Sequence, residues 1–359
     1  MRFAIIGCGV IAPTHARAIA AQGSAAELAA VVDTDPAAAR SFAEEHGGQP
    51  ASDLAAVLAD PDIDAVSVCT PSGTHVEVAV AALRAGKHVV VEKPLDVNVA
   101  AADRLVAAER ESDRTVTVIS QHRFDGASQA VHAAVADKRM GRLTSGVVSI
   151  GWWRSQGYYD SGDWRGTWAL DGGGALMNQG VHTVDLLVWL FGDPVSVTAQ
   201  TGLLAHSGIE TEDVAVATVT FASGALGVVH ATTAAYPGLS ARLQVHGDSG
   251  SAIIDDDQLV WFHTRSATSK EASAYGSGLS DNQAAQALAP VAEGAYGPTA
   301  GAVPGALGAA HAAQYADFLA AIARGRPPLV TVAQARRTVA TVTAIYESAR
   351  SGGAPVTLG

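Results

Sequence analysis

The chain opens Met1-Arg-Phe-Ala-Ile-Ile-Gly7-Cys-Gly9-Val-Ile-Ala12, and this stretch decides the reading of the fold. Phe3–Ile6 is short and apolar on both faces, the pattern of a strand buried in a parallel sheet. Gly7 and Gly9 follow it, and a helical pattern, Pro13–Ala21, follows them. Glycines at such a junction let the backbone turn tightly. They also let a phosphate approach the helix N-terminus, where unpaired N–H groups favour an anion. A second strand, Leu28–Val32, ends in Asp33, with Thr34 next. A carboxylate there accepts hydrogen bonds from ribose hydroxyls and repels a 2′-phosphate. The expected cofactor is therefore NAD(H) in preference to NADP(H), held by Gly7, Gly9, Val10, Ile11, Ala12, Asp33 and Thr34.

Working outward, strand patterns at Ala65–Cys69, His88–Val91 and Thr115–Ile119 alternate with helical ones at Pro36–Glu45, Leu54–Leu58, Val76–Ala85 and Ala100–Glu111. This alternation predicts an α/β domain over 1–123, a doubly wound parallel sheet. Ligands of such sheets sit beyond the carboxyl ends of the strands. That places Thr70, Pro71, His75, Glu92, Lys93 and Gln121 among the expected cofactor contacts.

From residue 124 the texture changes. A helix at Ser128–Asp137 and a strand at Thr144–Trp152 precede a loop rich in Gly, Tyr and Trp. Strand patterns follow at Val195–Thr201, Asp213–Phe221, Ala225–Ala234, Ala241–His246, Ser251–Asp255 and Gln258–His263, with hairpin turns at 222–224 and 248–250. Helices at Ala309–Ala323 and Val332–Ser348 close the chain. The expectation is an α+β domain over 124–359 with a largely antiparallel sheet. Residues 264–307 show no period and are expected to form a loop-rich insertion. Apolar residues alternate along Val214, Val216, Thr218 and Thr220, and along Leu226, Val228 and His230. One sheet face is thus free to meet another subunit, and a homodimer or homotetramer is expected.

At 359 residues, 48% apolar and 16% charged, the chain can fill two cores and is not globally disordered. A net charge of −12 argues against a nucleic-acid partner, which would need basic patches. Cys8 and Cys69 read as reduced core thiols, and no metal site is expected. No basic leader precedes an apolar segment and no apolar run reaches ~18 residues, so a cytoplasmic protein without a membrane span is expected.

The chemistry gathers in Asp171-Gly-Gly-Gly-Ala-Leu-Met-Asn178-Gln-Gly-Val-His182-Thr-Val-Asp185. Three glycines turn the chain into an apolar helix that carries Asn178 and His182 at i and i+4, on one face. An imidazole beside an amide is a candidate acid/base site. Asn178 would orient substrate, and Asp185 reads as structural. Among only four lysines, Lys93 stands at a strand end before Pro94, where an ammonium can stabilise a developing alkoxide. Four of the six tryptophans, Trp152, Trp153, Trp164 and Trp168, interleave with Arg154, Tyr158, Tyr159 and Arg165. Aromatic rings receive the apolar faces of sugars, and arginine binds phosphate bidentately. Tyr158, Trp164, Arg165 and Arg123 join Asn178 and His182 as candidate substrate contacts.

With these residues assembled, the chain resembles the glucose–fructose oxidoreductase / inositol dehydrogenase / MocA family. Three features carry the resemblance: the N-terminal fingerprint with Asp33, the segment Ala85-Gly-Lys-His-Val-Val-Val-Glu92-Lys93-Pro94-Leu95, and Gly172-Gly-Gly174 with His182-Thr-Val-Asp185. It spans essentially all of the chain except 264–307. The resemblance implies a Rossmann domain, a second domain with an open sheet, association through that sheet, and NAD(P)-dependent chemistry at a secondary alcohol of a sugar, cyclitol or sugar nucleotide. Lys93 would polarise the hydroxyl and His182 would exchange its proton. Inositol-dehydrogenase-like members carry aspartate where this chain has Asn178. A carboxylate–histidine relay therefore does not transfer, and some sugar-nucleotide-type relatives resemble this chain in having Asn there, which leans the reading away from inositol. Three alternatives stay open: an inositol-type cyclitol dehydrogenase, a glycosidase or epimerase that retains NAD and oxidises its sugar transiently, and a non-catalytic NAD-dependent regulatory protein.

Overall fold

The computed structural model describes residues 1–265, 282–288 and 308–358. Its first part runs β1 (Arg2–Ile6), α1 (Ala12–Ala20), β2 (Glu27–Val32), α2 (Pro36–His46), β3 (Gln49–Ala51), α3 (Leu54–Ala59), β4 (Ala65–Val68), α4 (His75–Arg84), β5 (His88–Val91), α5 (Val99–Arg110) and β6 (Val116–Val118). The six strands form one parallel sheet in the order β3-β2-β1-β4-β5-β6. Every residue of β4 and β5 is buried, because helices cover both faces. The helices start where the sequence can cap them. Asp35 accepts from the Ala37 N–H, Asp53 from those of Ala55 and Ala56, and Asn98 from that of Ala101. β3 escaped the sequence reading: it is three residues long, contains Pro50 and lies at the sheet edge, where a missing N–H costs least.

The second part runs α6 (Gly126–Ala136), β7 (Leu143–Gly151), α7 (Gln156–Tyr159), a π-helical turn (Ala175–Gly180), α8 (Val181–Phe191), β8 (Pro194–Gly202), β9 (Val214–Phe221), β10 (Leu226–Thr232), β11 (Ala241–Gly247), β12 (Gly250–Asp255), β13 (Gln258–Thr264), α9 (Ala284–Ala287), α10 (Gly308–Arg324), α11 (Val332–Arg350) and β14 (Val356–Thr357). Eight strands pair in the order β13-β12-β11-β7-β10-β9-β8-β14. All neighbours are antiparallel except β7 and β10. Period-two patterning divides the faces. Ala215, Ala217, Val219 and Phe221 of β9 enter the core with Leu187 and Phe191 of α8 and Ile345 of α11. The opposite face carries Val216, Leu226 and Val228, which are 48%, 58% and 41% exposed. Most of the expected 264–307 insertion lies outside the described residues; within it, α9 packs on β13.

The last two helices return to the first sheet. Tyr315 and Phe318 of α10 share a core with Phe3 and Ile5 of β1. Val332, Ala335 and Val339 of α11 join Val89 and Val91 of β5. Packing thus ties the chain's end to its beginning, and this seam puts α8 beside the end of β5.

Candidate active site

The carboxyl ends of β1, β2 and β4 meet at the glycine turn. Gly7 has φ +93°, and an added Cβ would lie 2.8 Å from the Cys69 carbonyl, so only glycine fits. Its N–H donates to the Val32 carbonyl at 2.7 Å. Asp33 is braced toward the same turn, accepting from the N–H groups of Cys8 at 2.8 Å and Asp35 at 2.9 Å. An added Cβ on Gly9 would have no atom within 4 Å, and Val10 is 68% exposed. Further along the edge, the Gln121 carboxamide oxygen is buried without a hydrogen-bond partner. An open turn for a diphosphate, a carboxylate for ribose and an unmet acceptor for an amide N–H together fit a nicotinamide dinucleotide.

At the end of β5, the Lys93 ammonium donates to the Asn178 carbonyl at 2.9 Å and to its side-chain oxygen at 3.3 Å. The Asn178 amide donates in turn to Asp171, whose other oxygen accepts from the Gly166 N–H at 2.8 Å. Burial lowers the proton affinity of Lys93 and raises that of Asp171. The glycine run shapes this turn. An added Cβ on Gly174 would lie 1.8 Å from the Glu212 carbonyl oxygen. The Glu212 carboxylate accepts from the N–H groups of Gly174 at 3.0 Å and Leu176 at 2.8 Å and from the Tyr346 hydroxyl at 2.9 Å. Asn178 lies in the widened π-helical turn and His182 in the first turn of α8, so the simple i, i+4 geometry is replaced by a π-to-α junction.

His182 borders two cavities. One is lined by Lys93, Leu95 and Val118, the other by His122, Trp152, Leu243 and Asp257. Burial, then the positive charges of Lys93 and His122, hold its pKa well below the ordinary range, so the ring is neutral and can accept a proton. The His122 ring meets it edge-on at a centroid distance of 5.0 Å. His122 Nδ1 lies 3.0 Å from Asp125 and 2.9 Å from Asp257. Burial opposes its charge, but these two carboxylates prevail and hold its pKa at about 10.

Three expected contacts face the interior instead. His75 is 1% exposed, with its ring nitrogens 2.7 Å from the Pro94 carbonyl and 2.8 Å from that of Thr70. It braces Thr70 beneath the site. The Glu92 carboxylate binds His15 at 2.8 Å and the Lys93 N–H at 2.9 Å. His15 also meets the Tyr315 hydroxyl at 2.7 Å, and that hydroxyl meets Ser67 at 2.6 Å. Glu92 therefore anchors the Lys93 backbone. Arg123 is 1% exposed and grips Asp185 through two bonds of 2.7 Å, with Gln334 at 2.9 Å. The guanidinium read as a substrate contact is consumed by an acid of α8, the residue already read as structural.

Family comparison agrees with this geometry. Residues 1–120 match the model described as "Oxidoreductase family, NAD-binding Rossmann fold", and residues 128–253 match the "GFO/IDH/MocA C-terminal domain". The chain belongs to the Gfo/Idh/MocA oxidoreductases. Among solved structures it is similar to the WlbA dehydrogenase of Bordetella pertussis in complex with NADH and UDP-GlcNAcA: 32% identity, 100% of this chain and 98% of that one covered, TM-score 0.86. Among curated proteins it is similar to 1,5-anhydro-D-fructose reductase of Ensifer adhaerens, at 31% identity over 70% of this chain and 75% of that one. It is also similar to inositol 2-dehydrogenase of Rhizobium meliloti, at 29% over 72% and 77%.

In this Gfo/Idh/MocA oxidoreductase, the loop after β7 packs against the π-helical turn that carries Asn178. Arg154 donates to Gln179, and Gln179 donates to the Tyr158 hydroxyl at 3.1 Å. The Arg165 guanidinium lies 4.3 Å from the centre of the Tyr158 ring and 4.6 Å from that of Trp164. Tyr159, by contrast, is spent on Thr233 at 2.7 Å. The sequence reading missed Asp171, Gln179, His122 and Glu212 as parts of the site. Asp171 alone left a visible signal, an acid heading the glycine run. No helix among the described residues is long and apolar enough to cross a membrane.

Proposed function

We propose that this enzyme interconverts a secondary alcohol and a ketone on a sugar-type substrate, with Lys93 and His182 as its catalytic residues. The observation that carries the reading is their convergence. A half-buried ammonium from the end of β5 and a half-buried neutral imidazole from α8 border one cavity. NAD, when held along Gly7, Gly9, Val10, Ile11, Ala12, Asp33, Thr34, Thr70, Pro71 and Gln121, supplies the hydride acceptor or donor. Lys93 donates a hydrogen bond to the reacting oxygen and stabilises the charge that develops on it. His182 takes the hydroxyl proton in oxidation and returns it in reduction. Asn178, held by Asp171, fixes the Lys93 ammonium through two oxygens, so it acts as a positioning residue. The relatives' own names support the substrate class: an inositol dehydrogenase, an anhydrofructose reductase and a dehydrogenase bound to a nucleotide sugar.

The experiment is to follow NADH absorbance with a panel of sugars, cyclitols and nucleotide sugars. Oxidation of one class, abolished by H182A, supports the reading. Turnover of sugar without net NADH favours the NAD-retaining alternative, and tight NAD binding without any turnover favours the regulatory one. The exposed apolar face of the second sheet supports a homodimer or homotetramer. Light scattering tests it, and a monomer mass independent of concentration counts against it.

A further inference from the structure

The loop after β7 carries two guanidinium groups that have no carboxylate partner. Arg154 donates to the Trp153 carbonyl at 3.1 Å and to the Gln179 side-chain oxygen at 3.2 Å. Arg165 donates to the Ser161 hydroxyl at 3.1 Å. Neither enters an ion pair among the described residues. Elsewhere arginines do find acids: Arg123 with Asp185, Arg326 with Asp317, Arg336 with Asp103 and Arg337 with Asp193. The two free cations are not scattered. They lie 5.5 and 4.3 Å from the centre of the same Tyr158 ring, and aromatic contact leaves their charge intact. Both guanidiniums act on Lys93 through space. Three positive charges therefore converge against two carboxylates: Glu92, already held by His15, and Asp171, hydrogen-bonded to Asn178 and the Gly166 N–H. In a chain of net charge −12, a local excess of cations at the site is opposite in sign to the whole molecule.

Resting on the dehydrogenase reading above, we propose that Arg154 and Arg165 form an anion subsite and that the substrate is a sugar bearing a carboxylate or phosphate group. The guanidinium fork matches both oxyanions, with two parallel N–H donors per group. A neutral sugar would enter without neutralising either cation. An acidic one gains charge-assisted hydrogen bonds, each equivalent to about a tenfold to hundredfold gain in affinity.

The test uses the full-length enzyme with NAD and matched substrates: a neutral hexose, its uronate, its phosphate, and the nucleoside-diphosphate forms of the hexose and the uronate. An acidic member should exceed its neutral counterpart in kcat/KM by about tenfold or more, and the preference should shrink as ionic strength rises. The arm that responds separates carboxylate from phosphate recognition. R154Q and R165Q should each lower the acidic-to-neutral preference about tenfold, mainly through KM. A purely structural role would depress acidic and neutral substrates together and would overturn the proposal. So would a neutral hexose oxidised as well as its acidic forms, an outcome that leaves the dehydrogenase reading standing. If no member of the panel is oxidised while NAD still binds, the dehydrogenase reading fails and the proposal falls with it.

Discussion

His182 and Asp185 stand one turn apart on α8 and meet opposite surroundings. Asp185 is sealed: Arg123 grips it twice, and the hydroxyls of Ser120 and Thr338 complete its shell. His182 is half-buried, among the described residues no hydrogen bond reaches its ring, and it borders two cavities, only one of which Asp185 also lines. What separates them is whether the group's hydrogen-bonding capacity is already used. A saturated carboxylate holds the fold, whereas an unsaturated imidazole keeps an acceptor for a substrate proton.

The sharpest way to break this contrast is to remove the open pair. His182→Ala should lower kcat/KM by roughly 10²–10⁴-fold, the range that general-base catalysis supplies. Lys93→Met should cost at least ~10²–10³-fold, because it removes the donor to the reacting oxygen. Both variants should keep a thermal midpoint near that of the parent and should still bind NAD, which fluorescence titration would show. Near-normal turnover in His182→Ala with an unchanged pH profile would move the base elsewhere, with Lys93 or Tyr158 the nearest candidates. In the parent, the rise of kcat/KM for oxidation with pH should be complete below the ordinary histidine value of 6.5, because burial and the charges of Lys93 and His122 favour the neutral ring.

The closed pair should fail in the other currency, stability. Asp185→Ala leaves the buried Arg123 guanidinium without its counter-charge, and breaking a buried pair from one side costs about 3–5 kcal/mol. Urea unfolding should show that loss, while the folded fraction keeps its rate per molecule within severalfold. Replacing both partners with apolar groups, Arg123→Met with Asp185→Leu, should recover much of the stability, since no orphan charge remains. A loss under 1 kcal/mol for Asp185→Ala would place this pair with weak surface bridges despite its burial.

This contrast also explains what was legible in the sequence. The positions of the glycine turn, Asp33 and Lys93 at strand ends were readable because each is fixed by local pattern: a strand, a turn and a helix start, or a strand end before proline. The sheets were readable for the same reason, through apolar runs in β4 and β5 and alternation in β9 and β10. Arg123 and His75 misled because their residue types suit ligands, while the groups that occupy them are distant in sequence. Asp185 is 62 positions from Arg123, and the Pro94 carbonyl is 19 from His75. The π-helical turn was invisible because an i, i+4 pattern reads the same until the hydrogen bonds are seen. Asp257, which comes from the β12–β13 turn at φ +62°, pairs with a histidine 135 positions away. No spacing rule connects those two residues.

That last pair yields the smallest expected effect and probes the closed wall behind the open site. His122 in the folded protein holds its proton to about pH 10, against an ordinary value of 6.5, because Asp125 and Asp257 share its Nδ1–H. A base raised in the folded state contributes stability that is fully present below 6.5 and is lost as pH climbs through the folded value. Unfolding free energy should therefore decline between pH 6.5 and 10. Asp257→Asn removes one of the two carboxylates and should flatten that decline by about 1 kcal/mol or more. The comparison needs urea midpoints for the parent and the variant at pH 6, 8 and 10. Equal slopes would show that His122 is already neutral when folded. The cation facing His182 would then be Lys93 alone, and the depressed proton affinity of His182 would have to come from burial and Lys93 without help from behind.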